Sequence, residues 1–350
     1  MPKEVTFYRT YGCKKGVMWE LPVRVWVHKP RRFIEGALAR AAEIGMEKLL
    51  GNGELSDAEK ERFRSRIADS LADDDSREEV FVTFDGDPKG ETFQLTNAEG
   101  SSVRTDANGL VEGVLRLSEE RAQILLQRQH SSHGWLSCHA RVDSSQAEGR
   151  IRLIPPQGLS VVSDIDDTIK ITEIPAGKEI VLRNTFFREF VAAPEMAERY
   201  RELGNEVAFH YVSGGPWQMY EVLAQFLFGE RFPEGTFHMK NVRKNLLEPE
   251  TWKDLWTLFI NGSEEATVNQ KIQQISQLMT DFPQRQFVLI GDFGEKDPEV
   301  FRRSQEQFPT RVQEIRIRDV VNDRAQNQQR LAGMTIIEAE TIIEGVSQLR

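Results

Sequence analysis

Three short apolar runs in the second half of the chain, Leu159–Ser163, Val207–Val212 and Phe287–Ile290, restrict its fold more than any other feature. None alternates with polar residues, and segments of helical spacing separate or follow them: Pro194–Leu203, Trp217–Phe228, Val268–Met279 and Pro298–Gln307. Short, continuously apolar strands alternating with helices are what a parallel sheet covered on both faces requires. The pattern predicts an α/β domain over residues 158–350, with a fourth strand over Val312–Val320. Each run ends on residues of another character: Asp164 after the first, Ser213 after the second, Gly291 and Asp292 after the third. The carboxyl ends of parallel strands are where open α/β sheets bind their ligands.

The first 157 residues read differently. Val23, Val25 and Val27 alternate with Arg24, Trp26 and His28, the period of a half-buried strand. Further strand signals fall at 80–84, 91–95, 124–126 and 135–142, with turn chemistry at Asp106–Gly109. These predict an antiparallel, sandwich-like β-rich domain over residues 1–157. A helical insertion interrupts it at about 31–75: Ile34, Leu38, Ala41 and Leu49 recur at helical spacing before Gly51–Gly53, and Ser56 with Glu59 forms a capping box ahead of Phe63, Ile67 and Leu71.

Composition narrows the function. The 55 acidic and 45 basic side chains give a net charge of −10, which argues against nucleic-acid binding. No apolar run is long enough to span a bilayer. Only Cys13 and Cys138 are present and the first residues lack an apolar leader, so the expected compartment is the reducing cytoplasm. His130, His133, Cys138 and His139 read as strand and loop residues rather than a zinc site, because alternation puts Cys138 and His139 on opposite faces. Asp85-Gly86-Asp87 reads as a turn rather than a calcium loop.

The strongest chemical signal is Asp164-Ile165-Asp166-Asp167-Thr168, where a buried strand breaks into a loop. Two carboxylates one residue apart can face one site, one as an ionised nucleophile and the other as a proton shuttle. Ser213, with Gly214, Gly215 and Pro216 behind it, offers a hydroxyl and a glycine turn suited to phosphate oxygens. Asp292 and Asp297 add carboxylates at the third strand end. So many converging carboxylates repel one another unless a hard cation neutralises them, and oxygen-only donors suit Mg²⁺. Lys271, 21 residues before Asp292, can supply a fixed positive charge.

This order of Asp164 and Asp166, Ser213, Lys271, and Asp292 with Asp297 resembles the haloacid dehalogenase superfamily of phosphotransferases. Within it, SDIDDTIK, LRNTFF, FHYVSGGPWQMY, FVLIGDFGEKDPEVF and IRIRDV resemble the phosphatidate phosphatase catalytic domain of the actin-patch-protein type, over about residues 158–323. The resemblance implies a Rossmann-like domain that hydrolyses phosphatidate to diacylglycerol and phosphate. It implies Asp164 as nucleophile and Asp166 as acid and base. Mg²⁺ would be held by Asp164, the Asp166 carbonyl and Asp292. Ser213 and Lys271 would act on the transferring group, and Thr168, Gly214 and Asp297 would support them. Phe293 stands where family members generally have serine, and Gly214-Gly215 where they have a bulkier or hydroxylated pair. Both differences lie at the mouth of the site and leave open a soluble phosphomonoester as substrate; a non-catalytic membrane- or partner-binding module is the other alternative.

A lipid substrate implies peripheral contact with a membrane. Trp252, Leu255, Trp256 and Phe259 fall on one helix face that would either dip into the lipid interface or pack in the core, and Lys240, Arg243 and Lys244 are nearby bases for an anionic surface.

Overall fold

The computed structural model describes residues 3–29, 43, 44, 46, 55–68, 73–241, 264–322, 325 and 327–339. The aromatic face around Trp252 and Trp256, with Arg243 and Lys244, lies outside the described residues. The chain divides into two compact units: residues 1–33, 72–156 and 235–237 form one, and residues 34–71, 157–234 and 238–350 the other.

In the first unit the strands are β1 (Glu4–Phe7), β2 (Thr10–Lys15), β3 (Met18–Lys29), β4 (Asp73–Asp74), β5 (Phe81–Phe84), β6 (Thr92–Gln94), β7 (Leu110–Ser118), β8 (Trp135–Val142) and β9 (Ser145–Leu153). They hydrogen-bond in the order β1-β3-β2-β9-β8-β5-β6, with β4 and β7 attached to β3. The alternating valines of β3 face a core shared with Leu115, Leu136 and Ile151. The sheet is mixed rather than purely antiparallel, because β2 pairs β9 in parallel. These two strands lie far apart in sequence, so no hairpin dictates their direction. The predicted strand at 124–126 is instead part of a helix, Glu119–Arg128, started by Ser118, whose hydroxyl accepts the Arg121 N–H. His139 Nε2 lies 3.0 Å from Asp85 Oδ1, and the Asp87 carboxylate accepts the Lys89 and Glu91 amides and pairs with Arg121.

His28 gives this unit a pH dependence. It is buried, stacked on Trp26 at 3.8 Å with Nδ1 unpartnered, and burial pushes its imidazole down to about 4. A depressed histidine supports the fold above its unfolded pKa of about 6.5, and that support is lost as pH falls towards 4. Denaturant unfolding should show a loss approaching about 3 kcal/mol across this window, and His28→Phe should remove that share of the slope.

Helices among the described residues include, in chain order, α1 (Asp57–Ile67), α2 (Glu119–Arg128), α3 (Lys178–Leu182), α4 (Met196–Glu202), α5 (Tyr220–Gly229), α6 (Glu264–Asp281) and α7 (Asp297–Gln307). Ser56 and Glu59 form the predicted capping box at the start of α1. Although α1 belongs by sequence to the insertion in the β-rich half, it clusters with the second unit. The reason is its apolar stripe: Phe63 is fully buried against Phe186 and Phe187, ring centroids 6.2 and 4.8 Å away.

A second sheet carries β10 (Leu159–Asp164), β11 (Ala208–Pro216), β12 (Gly235–Lys240), β13 (Gln286–Asp292), β14 (Val312–Asp319) and β15 (Thr335–Glu338) in the order β12-β11-β10-β13-β14-β15. All pairs from β11 through β15 are parallel. The three apolar runs are β10, β11 and β13, adjacent at the centre and buried on both faces. The chain order reverses at β10, so a crevice opens at the carboxyl ends of β10 and its neighbours. Register then fixes the site. Asp164 pairs with Val212, and Ser163 with Ile290, so Ser213 and Asp292 fall within two residues of Asp164 along the strand direction, one on each side.

Candidate active site

Asp164 is almost fully buried at the end of β10, with its Oδ1 2.7 Å from Lys271 Nζ. Lys271, on α6, is itself buried and also lies 2.7 Å from Asp297 Oδ1 and 3.4 Å from Glu295 Oε2. One ammonium therefore ties together three carboxylates. Burial alone would lower its proton affinity, but Asp164, Asp297 and Glu295 outweigh that and hold it above the usual lysine value. Burial raises Asp164 well above the ordinary carboxylate range; Lys271 opposes this, while Asp297, Glu295 and Asp166 add to it.

Asp166 has a different environment. Its Oδ1 lies 2.7 Å from Lys170 Nζ and accepts the Thr172 hydroxyl at 2.6 Å, while Oδ2 accepts from Ser213 Oγ at 3.5 Å. Burial pushes this carboxyl up, but Lys170 and the Thr172 hydrogen bond prevail and hold it below its ordinary value. Two carboxyls one residue apart are thus driven in opposite directions, the pattern that separates roles in acid–base sites.

Asp292, at the end of β13, is wholly buried. Its Oδ1 accepts the Gly294 and Glu295 amides at 2.6 and 3.2 Å, while its Oδ2 has no hydrogen-bond partner. Burial, then Asp297, Glu295 and Asp164, raise its pKa. Asp164, Asp292 and Glu295 bring carboxylate oxygens within 4.8 Å of one another. An orphaned buried oxygen beside two more carboxylates is a donor set for a hard divalent cation. The Asp166 side chain is not in this set, and nothing in the sequence pattern singles out Glu295. Burial first, then Asp297 and Asp166, push Glu295 up to about 7 against the pull of Lys271.

Asp297 starts α7 and joins Lys271 to β13, its Oδ2 accepting the Asp292 amide at 3.3 Å. Gly291 makes room for it: a Cβ there would lie 2.3 Å from Asp297 Oδ2. Thr168 donates to Asp164 Oδ2 at 3.4 Å.

Asp167 and Lys170 each have a definite place. Asp167, with φ 53°, turns its carboxylate away from the site to accept the amides of Thr172, Glu173 and Ile174 at 2.6–2.8 Å, which staples the loop. Arg318 Nη1 donates to its carbonyl at 2.7 Å. Lys170 pairs with Asp166, not Asp167.

The predicted glycine turn after Ser213 is instead the extended end of β11, which runs to Pro216 before α5 begins at Tyr220. Ser213 Oγ accepts the Gly215 amide at 2.9 Å. A Cβ on Gly214 would stand 2.9 Å from Thr267 Cγ2, so the bare backbone keeps this edge open. Phe293, the other unusual position, is buried beneath Arg330, 4.6 Å from its ring centroid.

Beside these groups lies a cavity of about 130 Å³. Asp166, Lys170, Thr172, Ser213 and Glu295 are among its polar lining residues, and Ile174, Val181, Phe190, Pro216, Met219 and Leu223 among its apolar ones. Such a space suits a phosphate ester with an apolar leaving group.

Residues 159–319 match the family described as phosphatidate phosphatase APP1, catalytic domain. The chain is similar to phosphatidate phosphatase APP1 of Saccharomyces cerevisiae, with 31% identity over 170 residues, 47% of this chain and 26% of that protein. It is also similar to an uncharacterized protein of Schizosaccharomyces pombe, with 27% identity over 180 residues, 49% of this chain and 27% of that protein. The chain thus spans about a quarter of the length of these curated relatives. Among solved structures, a carbohydrate esterase aligns over 90% of this chain and 88% of its own at 8% identity, with a TM-score of 0.21, too low to relate the folds. The site described above lies wholly inside residues 159–319, the segment that matches the phosphatidate phosphatase APP1 catalytic domain family.

Proposed function

We propose that this protein is a Mg²⁺-dependent phosphatase of the haloacid dehalogenase type that hydrolyses phosphatidate to diacylglycerol and phosphate. The observation that carries it is the convergence of Asp164, Asp166, Ser213, Lys271 and Asp292 at the carboxyl ends of three adjacent parallel strands, beside a cavity lined by both polar and apolar side chains. The central sheet order, which reverses at β10, supports the Rossmann-like placement.

In this mechanism an Asp164 carboxylate oxygen bonds to phosphorus as the ester P–O bond breaks, giving an aspartyl-phosphate. Asp166 gives its proton to the departing alkoxide. It is held ionised at rest by Lys170; the negative phosphoryl group arriving beside it raises its proton affinity, and it takes up from solvent the proton that it passes to the alkoxide. As a carboxylate it then takes a proton from the water that attacks phosphorus, releasing phosphate and restoring Asp164. Lys271 orients Asp164 and favours its carboxylate form against the burial that raises its pKa, and Ser213 donates to the transferring group. Asp164, Asp292 and the Asp166 carbonyl would hold Mg²⁺, with Glu295 as a further donor. When bound, the ion relieves the mutual repulsion of these carboxylates and stabilises charge on the phosphoryl oxygens. Asp297 and Thr168 hold Lys271 and Asp164 in place.

A second reading, a soluble phosphomonoester as substrate, draws on the size of the cavity, about 130 Å³. A pocket of about 150 Å³ accommodates benzene, so little beyond a headgroup enters. No described helix is long and apolar enough to cross a membrane, and a lipid would be met at a membrane surface. The deciding measurement is phosphate release from phosphatidate in detergent micelles and from a panel of soluble esters, with Mg²⁺ or chelator. The expected result is Mg²⁺-dependent release from the lipid that chelator abolishes. Release from soluble esters alone keeps the mechanism and discards the lipid. No release from any ester, with vesicle binding intact, favours a binding module.

A further inference from the structure

The matched catalytic segment begins at residue 159, yet part of the wall of its cavity is held from outside it. Phe190 and Thr185 both line the cavity. Arg66, at the end of α1 and buried, places its guanidinium carbon 3.9 Å from the Phe190 ring centroid and donates from Nη1 to the Thr185 carbonyl at 2.7 Å. One turn earlier, Arg62 Nη1 donates to the Phe187 carbonyl at 2.7 Å. All these partners sit in or beside Arg183–Phe187, a single π-helical turn, and such turns leave carbonyls without regular partners inside the helix. The same Phe190 ring lies 4.9 Å from Lys170 Nζ, the cation paired with Asp166.

We infer that α1 is a working part of the catalytic pocket, with Arg66 a positioning residue that fixes the Phe190 ring and the Thr185 backbone against which the leaving group of the phosphate ester packs. Burying a guanidinium is costly, and an aliphatic side chain would fill the same space with no charge to dehydrate. The guanidinium adds direction: it caps one carbonyl and attracts one aromatic face. The inference rests on the phosphatase reading only for the identity of the leaving group; the coupling of α1 to the wall stands apart from it.

The test uses the full chain. Arg66→Met should raise KM for dioctanoyl phosphatidate about tenfold while kcat stays within about twofold, and inhibition by inorganic phosphate, which needs only the Ser213 side, should not change. Arg66→Lys, which keeps a cation over the ring, should recover most of the loss. In a Phe190→Leu background Arg66→Met should add little, since the two residues act as one unit. Hydrogen exchange of peptides covering 183–191 should rise at least about tenfold in Arg66→Met with β10 and β13 unaffected. That readout needs no turnover, so it decides the coupling even if the wild-type protein cleaves no ester, an outcome that would sink the phosphatase reading alone. Should Arg66→Met not fold, Arg66→Lys and Phe190→Leu carry the same exchange and KM comparison. Unchanged exchange at 183–191, additive effects in the Phe190→Leu background, or parallel losses in kcat and phosphate inhibition would each overturn the inference.

Discussion

Asp164→Asn is expected to lower phosphate release by about 10⁴-fold or more while leaving the protein folded, because the amide cannot form the aspartyl-phosphate. The substitution changes charge with almost no change of volume at a buried position. Burial already holds Asp164 above the normal carboxylate range, so a neutral group there relieves part of the repulsion with Asp297, Glu295 and Asp166. In return Lys271 loses one partner at 2.7 Å but keeps Asp297 at the same distance. The two effects oppose, and folding stability should stay within about 2 kcal/mol of wild type. Chemical quench with radiolabelled substrate should trap phosphoenzyme in the wild-type protein and none in the variant. Residual turnover above about 1% of wild type would mean that Asp164 is not the nucleophile.

Asp164, Ser213 and Asp292 are legible in the sequence because backbone period announces them: a strand buried on both faces must end somewhere, and the residues just past its last apolar position face the crevice. Glu295 carries no such signal. It is one acid among 55, and it joins the site only because Asp292 Oδ1 gathers the Gly294 and Glu295 amides and folds the loop back. Asp167 shows the converse. Its place in a string of acids suggests an ion pair, but a positive φ turns it towards three amides of its own loop. The stripe of Phe63 and Ile67 on α1 announces burial without saying against what, since helical spacing gives a face and no address. The segment 124–126 misleads for a similar reason: a short apolar run has no period, and the Ser118 cap with Glu119 and Glu120 decides for helix.

Lys271→Met should have the largest effect on stability of any single change at the site. It leaves Asp164, Asp297 and Glu295 buried together without their shared cation. Removing one partner of a buried ion pair costs about 3–5 kcal/mol, and here three anions lose it at once. In a chain of 350 residues that corresponds to a fall in Tm of about 4–7 °C. The deficit should depend on pH in a definite direction. A carboxyl whose folded pKa is raised, as Glu295 is to about 7, supports folding below its unfolded pKa of about 4.5 and loses that support as pH rises through the folded value. Without Lys271 this group and Asp164 rise further, so the variant should approach wild-type stability near pH 5 and fall furthest behind at pH 8. Millimolar Mg²⁺ should then recover part of the loss at pH 8, since a dication meets the same carboxylates, and by mass action the gain should grow with its concentration. Thermal unfolding at pH 5, 7 and 8, with Mg²⁺ or chelator, reads all of this at once. A deficit that ignores both pH and Mg²⁺ would mean that the lost methylene packing of the lysine, not its charge, was what the fold required, and the carboxylates would then have to be neutral at rest.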